Sequence, residues 1–146
     1  MYFVDRSKIE NTLLYMEEIL QEVKEKSFTS FFDKLSLERA VHVLIESILD
    51  VGNMMIDGFI MRDPGSYEDI IDILLDEKVL PEREEAAYKR LIQLRKHIVN
   101  DYTAADHELL KNTLIEHQAV LEIFSTHIRT YLNNELGVAN AFSKEN

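Results

Sequence analysis

The sequence predicts an all-α fold, an up-and-down antiparallel bundle of four long helices and one short helix. The 146 residues include only four Gly and two Pro, so the uninterrupted stretches between breaks are long. Within those stretches apolar residues recur every three or four positions, which is the spacing of one helix face. No stretch alternates with the period of two that is typical of a strand. Short connections between the helices favour antiparallel neighbours.

Two long helices are predicted in the first 61 residues. The first runs from about Asp5 to Lys26, and the second from near Phe31 or Ser36 to about Met61. The apolar stripe of the first is Ile9, Leu13, Met16, Leu20 and Val23, and that of the second is Leu37, Val41, Leu44, Ile48, Val51, Met55 and Phe59. Three aromatic residues, Phe28, Phe31 and Phe32, crowd the connection, where we expect them to plug a bundle end or to contact a second subunit.

The remaining helices are separated by clear breaks. Residues 62–66 form a turn, the short helix covers Tyr67 to Lys78, and Pro81 opens the fourth helix. The stripe of the fourth helix is Ala87, Leu91, Leu94 and Ile98, a spacing that Tyr102 continues as a bundle aromatic with its hydroxyl near the rim. After a break at residues 103–106, the last helix runs from about Asp106 to Leu136, where Gly137 is expected to stop it. Its apolar face is Leu110, Leu114, His117, Leu121, Phe124, Ile128 and Tyr131.

Composition indicates one ordinary globular domain, residues 1–137, followed by a flexible tail over residues 138–146. Apolar residues make up 46% and charged residues 29% of the chain. The lack of cysteine excludes disulfides and thiolate metal sites. Charge appears early at the N-terminus and no apolar run reaches about 18 residues, so we expect a cytoplasmic protein that does not enter a membrane. The net charge of −11 argues against broad phosphate binding.

The familiar metal and cofactor motifs are missing from the sequence. There is no Glu-x-x-His pair, no His-Glu-x-x-His zinc motif and no phosphate-binding glycine loop, so neither a metal nor a cofactor is predicted. We interpret His117, alone on an apolar stripe, as a core histidine. A polar seam follows the second helix: Arg39, His42, Glu46, Asp50, Asn53 and Asp57. It is either a solvated face or, through Glu46 and Asp50, the lining of a cleft.

One segment concentrates positive charge in this acidic chain. Residues 89–97 carry four cations and a histidine, and on composition alone they suit the C-terminal turn of a helix, whose dipole favours basic residues. The segment around them also resembles the HEPN toxin signature, which reads Arg, four residues, His, one residue, Tyr. Arg95 and Tyr102 match that signature, and Asn100 stands where the signature has its His.

The order of the surrounding residues strengthens the resemblance. Over roughly residues 5–135, five short segments are similar to the HepT-type subfamily in sequence and in order. They are residues 38–40, 50–53, 64–69, 79–81 and 104–106. The resemblance implies a homodimer whose two motifs form one cleft, where an Arg and a His cleave RNA without metal through the ribose 2′-hydroxyl. It assigns the catalytic positions to Arg95 and Asn100. We expect Lys96 and His97 beside them, and Glu46 and Asp50 of the polar seam, to line the cleft or to contact RNA. It also implies a nucleotidyltransferase antitoxin that adds AMP to Tyr102.

Three hypotheses for function remain open at this point. The chain is an endoribonuclease toxin, a catalytically degenerate HEPN dimer that binds RNA or a partner protein, or a scaffold whose motif is only a basic helix end. The second follows from Asn100, because an asparagine amide can donate a hydrogen bond but cannot carry a proton at neutral pH. The helix geometry argues against His97 as a substitute, since on a helix it points about 160° away from Arg95.

Overall fold

The computed structural model describes residues 4–143, with side chains described for residues 4–135, and this part of the chain is helical without a strand. The six α-helices are α1 (Arg6–Lys24), α2 (Phe31–Gly58), α3 (Tyr67–Asp76), α4 (Glu85–Asn100), α5 (His107–Glu116) and α6 (Gln118–Ser143). Short 3-10 turns, Glu82–Glu84 and Tyr102–Ala104, lie on either side of α4. The predicted all-α class is confirmed. None of the described helices is long and apolar enough to cross a membrane.

Polar residues at the helix N-termini decide where the helices begin. The side chains of Asp5, Ser30, Ser66 and Asp106 each accept a hydrogen bond from a backbone N–H in the first turn of the following helix. These bonds satisfy N–H groups that have no partner inside the helix. At the start of α2 the arrangement is reciprocal, because the Asp33 carboxylate also accepts from the Ser30 N–H.

Helix α2 is the central element of the fold. It packs against α1, α3, α4 and α5, whereas α6 lies against α1 and α5. The stripes predicted for α1 and α2 form the core, with Ile9, Leu13, Val41 and Met55 completely buried. Each such side chain contributes about 1.5–3 kcal/mol through loss of contact with water. On the outside of this core Arg129 of α6 bonds to two carboxylates of α1, Glu10 and Glu17, so polar contacts also join the first helix to the last.

Gly52 allows α2 and α3 to approach closely. A Cβ atom at position 52 would lie 2.6 Å from Cγ2 of Ile70 and 3.3 Å from Cδ1 of Leu74. The nearer atom belongs to a β-branched side chain that has little freedom to rotate inside a helix. The contact between the two helices therefore depends on a residue without a side chain at this position.

We expect Gly52→Ala to destabilise the protein by about 1–2 kcal/mol, because overpacking costs up to about 3 kcal/mol and alanine regains roughly 1 kcal/mol through its helix propensity. Urea unfolding followed by circular dichroism measures the change. Gly65→Ala is the matched control, since its Cβ would meet only Oδ2 of Asp69, at 3.7 Å. A midpoint for Gly52→Ala equal to or above that of the unaltered protein would show that α3 moves away without cost.

The last predicted helix is in fact two helices, so its prediction as one element was wrong. Helix α5 ends at Glu116, His117 departs from helical geometry with φ −108° and ψ 18°, and α6 begins at Gln118. The apolar spacing continues across the bend, with Leu110, Leu114, Leu121, Phe124 and Ile128 all buried. The hydrophobic pattern therefore hides the bend. His117 is partly exposed at this bend and is not the core histidine that we predicted.

Helix α6 also continues past Gly137 to Ser143. A glycine within a helix costs about 1 kcal/mol and need not end it, which explains why the predicted stop was wrong. Of the predicted tail, residues 138–143 belong to α6 and residues 144–146 lie outside the described residues. Whether residues 138–146 are flexible stays a prediction.

Several aromatic side chains lie on the surface rather than inside the bundle. Phe31 and Phe32 are the first two residues of α2, are 71% and 75% exposed and contact each other edge to face. Phe31 and Phe32 therefore do not plug a bundle end, whereas Phe28 is partly buried against the core, and a subunit contact of these aromatic residues stays a prediction. Tyr102 is 69% exposed because α4 stops at Asn100 and the chain turns, so it does not extend the apolar stripe as predicted.

Candidate functional site

Arg95 lies where α2, α3 and α4 meet. Its Nε donates a hydrogen bond to Oε2 of Glu46 on α2 at 2.8 Å, and one terminal nitrogen donates to Oε1 at 3.3 Å. The guanidinium carbon is 4.5 Å from the ring centroid of Tyr67, the first residue of α3. A two-pronged ion pair and a cation–π contact together fix the plane of the guanidinium. About a fifth of the Arg95 side chain remains exposed, so a ligand can reach it.

Arg95 and Glu46 stabilise each other in their charged forms. The hydrogen bond from Arg95 lowers the pKa of Glu46, and the same bond raises the pKa of Arg95. Both groups are therefore ionised at neutral pH. Asp50 follows Glu46 by one turn of α2, and partial burial, together with repulsion from the Glu46 carboxylate, raises its pKa. Of the two acidic residues considered for a cleft, Glu46 bonds directly to Arg95, and Asp50 makes no hydrogen bond within the described residues.

The two residues that follow Arg95 point to other partners. Lys96 is well exposed, with its Nζ 3.5 Å from Oε2 of Glu68 on α3. The ring of His97 lies against the loop that follows α4. Its Nε2 accepts a hydrogen bond from the backbone N–H of Asp106 at 2.9 Å, and its Nδ1 is 3.2 Å from Oδ2 of Asp101. Because Nε2 acts as an acceptor, it carries no proton, and both ring nitrogens are occupied away from Arg95.

The other two motif residues lie at the end of α4. Asn100 is its last residue and is exposed. Five residues separate it from Arg95, which on a regular helix amounts to about 7.5 Å along the axis and about 140° around it. Tyr102 follows in the 3-10 turn and projects into solvent. The structure thus joins Arg95 to Glu46 and leaves Asn100 and Tyr102 accessible beyond them.

Two neighbours of the site were not predicted as site residues. Tyr67 carried no signal beyond its position at the start of a helix. His42 was noted only as a member of the polar seam, although it precedes Glu46 by one helical turn. In the structure Nε2 of His42 is buried and lies 3.9 Å from Oε1 of Glu46, without a hydrogen-bond partner within the described residues.

The family follows from a direct comparison of the sequence with family models. The model described as HepT-like, ribonuclease HepT-like, matches residues 9–128. This chain belongs to the HepT-like family. The predicted membership of the HEPN superfamily is thereby confirmed, and Arg95, Asn100 and Tyr102 all lie within the matched part of this HepT-like chain.

Relatives of this HepT-like chain are known in sequence and in structure. YutE of Bacillus subtilis (strain 168), named as a candidate RNase, is 52% identical over 143 residues, which are 97% of this chain and 99% of YutE. The solved structure of YutE, described as a cytosolic protein of unknown function, superposes with a TM-score of 0.91 over 94% of this chain and 96% of that chain.

More distant structures share the HepT-like fold. A tri-AMPylated Shewanella oneidensis HEPN toxin, in complex with an MNT antitoxin, is 17% identical, with a TM-score of 0.74 over 84% of this chain and 96% of that chain. A toxin–antitoxin complex with AMP-PNP is 16% identical, with a TM-score of 0.72 over 82% of this chain and 96% of that chain. At this identity the two structures establish the fold alone, which is that of HEPN toxins.

Proposed function

We propose that this HepT-like protein is a metal-independent endoribonuclease toxin of a toxin–antitoxin pair. The observation that carries the proposal is Arg95 at the motif position, held in a fixed orientation by Glu46 and Tyr67, with about a fifth of its side chain exposed. A planar guanidinium that is held rigidly suits the two-pronged recognition of a phosphate. In an acidic protein this local cation restricts RNA to the cleft, because the rest of the surface repels phosphates.

The reaction assigned to the cleft is attack by a ribose 2′-hydroxyl on the adjacent phosphorus. The new bond joins the 2′ oxygen to phosphorus, and the bond from phosphorus to the 5′ oxygen breaks, which leaves a 2′,3′-cyclic phosphate and a 5′-hydroxyl end. Arg95 stabilises the negative charge that grows on the phosphate oxygens. For this contact the phosphate must replace the Glu46 carboxylate as the partner of Arg95.

The test is a gel assay of the purified protein on total cellular RNA in the presence of EDTA. We expect fragments that end in cyclic phosphates, and none from the Arg95→Ala variant prepared in the same way. Growth should slow when the unaltered protein is expressed without a partner and should not slow with Arg95→Ala. Intact RNA at high protein concentration, together with normal growth, would contradict the proposal.

A nucleotidyltransferase antitoxin is the second part of the proposal, with Tyr102 as its target. The phenol is 69% exposed on a turn directly after the motif helix. The phenolic oxygen would bond to the α-phosphorus of ATP and pyrophosphate would leave. The Shewanella oneidensis HEPN toxin described above, which is AMPylated and bound to an MNT antitoxin, supports this partner class. Mass spectrometry after incubation with the partner and ATP should find AMP on Tyr102 and none on a Tyr102→Phe variant.

We also propose that two copies form a homodimer through the exposed aromatic surface of α1 and α2. An open groove of about 410 Å³ between these helices is lined by Tyr15, Ile19, Phe32, Leu35 and Val43. Phe32 and Glu46 are fourteen residues apart on α2 and so share one face of that helix. A second copy seated on the groove and extending about 21 Å along this face of α2 would reach Glu46 and Arg95, as a cleft built from both subunits requires.

We expect Phe32→Ser to convert the dimer into a monomer, because it removes a large exposed apolar side chain from the groove. Its effect on the free energy of unfolding of one subunit should stay within about 0.5 kcal/mol. Sedimentation velocity measures the oligomeric state. Ile115→Ser is the matched control, since Ile115 is 66% exposed but lies on α5. A Phe32→Ser variant that remains dimeric would place the interface elsewhere.

One observation favours a second candidate, a catalytically degenerate HEPN dimer that binds RNA or a partner protein. Asn100 stands at the position of the motif His, and an amide cannot transfer a proton at neutral pH. This candidate predicts RNA binding that weakens with Arg95→Ala but no cleavage by the unaltered protein. Cleavage that disappears with Arg95→Ala would reject it.

A further inference from the structure

Along the axis of α2, His42 lies between two residues that contact Arg95 on α4 and His107 beyond it. Helices α2 and α4 are antiparallel, because Glu46 pairs with Arg95 whereas Glu38, two turns earlier on α2, pairs with His107 just beyond α4. His42 is midway between Glu38 and Glu46. His42 therefore lies between the levels of Arg95 and His107, and the chain between these two residues contains Asn100, where the motif places its histidine.

The surroundings of His42 give its two ring nitrogens different roles. Nε2 is buried and faces Oε1 of Glu46 at 3.9 Å. A carboxylate on that side favours the tautomer with a proton on Nε2, which leaves a lone pair on Nδ1. Nδ1 makes no hydrogen bond within the described residues, whereas the ring nitrogens of His97 are both in use. His42 thus has a carboxylate near its buried nitrogen, but no hydrogen bond from the described residues orients the ring in the free protein.

Glu46 connects His42 to the phosphate-binding residue. In the free protein its carboxylate holds Arg95, and its distance from the His42 ring is too long for a hydrogen bond. An RNA phosphate that takes Arg95 releases this carboxylate, which can then turn to Nε2 of His42. Binding of the phosphate and orientation of the imidazole are coupled in this way through one side chain.

We propose that His42 transfers the proton in this cleft, in the role that Asn100 cannot perform; the inference rests on the proposed ribonuclease function. Nδ1 of His42 accepts the proton of the 2′-hydroxyl as the 2′ oxygen bonds to phosphorus. The bond from phosphorus to the 5′ oxygen breaks, and that oxygen takes a proton from water. The imidazolium lies near the Glu46 carboxylate until it returns its proton to solvent, and this carboxylate stabilises its charge.

The test compares single-turnover cleavage and RNA binding in three variants of the full chain. His42→Gln should lower the cleavage rate about 100-fold, as expected for loss of a general base, with the Kd for RNA changed less than about threefold. His117→Gln, a change to a partly exposed histidine at the α5–α6 bend, should leave both quantities unchanged. In His42→Gly added imidazole should restore cleavage in proportion to its concentration, which a purely structural role of His42 would not produce.

Each result decides between the inference and its alternatives. Cleavage by His42→Gln at the unaltered rate, while Arg95→Ala is inactive, would overturn the role of His42 and leave the ribonuclease function standing. Loss of cleavage in His42→Gly that imidazole does not restore would also overturn that role, since His42 would then matter only for structure. No cleavage by the unaltered protein would overturn both proposals.

Discussion

Replacement of Arg95 by lysine is expected to lower the rate of RNA cleavage about 100-fold, although the positive charge is kept. Arg95 holds Glu46 with two nitrogens and stacks on Tyr67, and both contacts need a planar guanidinium. A lysine ammonium is a point charge on a flexible chain that matches neither contact. A phosphate would therefore bind a cation that is not held in one orientation and that cannot donate two parallel hydrogen bonds. Single-turnover cleavage of a labelled RNA measures the change.

Arg90→Lys is the matched control for this prediction. Arg90 lies on the same helix, is exposed, and forms no ion pair within the described residues, so its replacement should not change the rate. Circular dichroism should give the same helical content for both variants. If Arg95→Lys cleaves as fast as the unaltered protein, charge alone suffices and the orientation of the guanidinium by Glu46 and Tyr67 has no role in catalysis.

The second large effect should be a gain of activity from Asn100→His. A histidine at this position supplies a group that titrates near neutral pH, whereas the amide that it replaces cannot transfer a proton. In the proposed reaction the 5′ oxygen takes its proton from water, and a histidine at position 100 could supply that proton as a general acid. General acid–base catalysis contributes about 100-fold or more, so we expect an increase of about 100-fold in the cleavage rate in addition to the contribution of His42. Position 100 is exposed at the end of α4, so the larger ring should be tolerated by the fold.

Asn100→Gln separates the effect of the proton from the effect of size. The longer amide also reaches further from the helix but carries no titratable group, so it should not raise the rate. An equal gain from both replacements would show that reach, and not proton transfer, limits the reaction. No gain from Asn100→His would mean that the cleft differs from the family pattern in more than this residue.

The sequence predicts the core well and the ends of helices less well, for a physical reason. A stripe such as Leu13, Met16 and Leu20 has to face the core, so its spacing reports directly on burial. The bend at His117 leaves the same stripe in register on both sides and has no hydrophobic signature. The stop after Asn100 is equally hidden, because Tyr102 has the spacing of the stripe although the chain has already left the helix.

Some features of the candidate site can likewise be predicted from the sequence, and others cannot. Arg95 is recognisable from the motif, and Glu46 from its place on a polar seam that could line a cleft. That the two residues bond to each other depends on how α2 and α4 are aligned, which no pattern within a single helix contains. The position of His42 beside Glu46 depends on the same alignment. Contacts between distant parts of the chain require the packed fold.

The bond between His97 and the backbone of Asp106 has a consequence for any enzyme that modifies Tyr102. This bond closes residues 97–106 into a short loop, and Asp106 in turn caps α5. Ordering a free chain costs about 1–2 kcal/mol for each residue fixed. A transferase that binds at Tyr102 does not have to order residues 97–106, because they are already ordered in the folded protein. Its affinity for the target can therefore rest on fewer contacts than binding to a disordered segment would need.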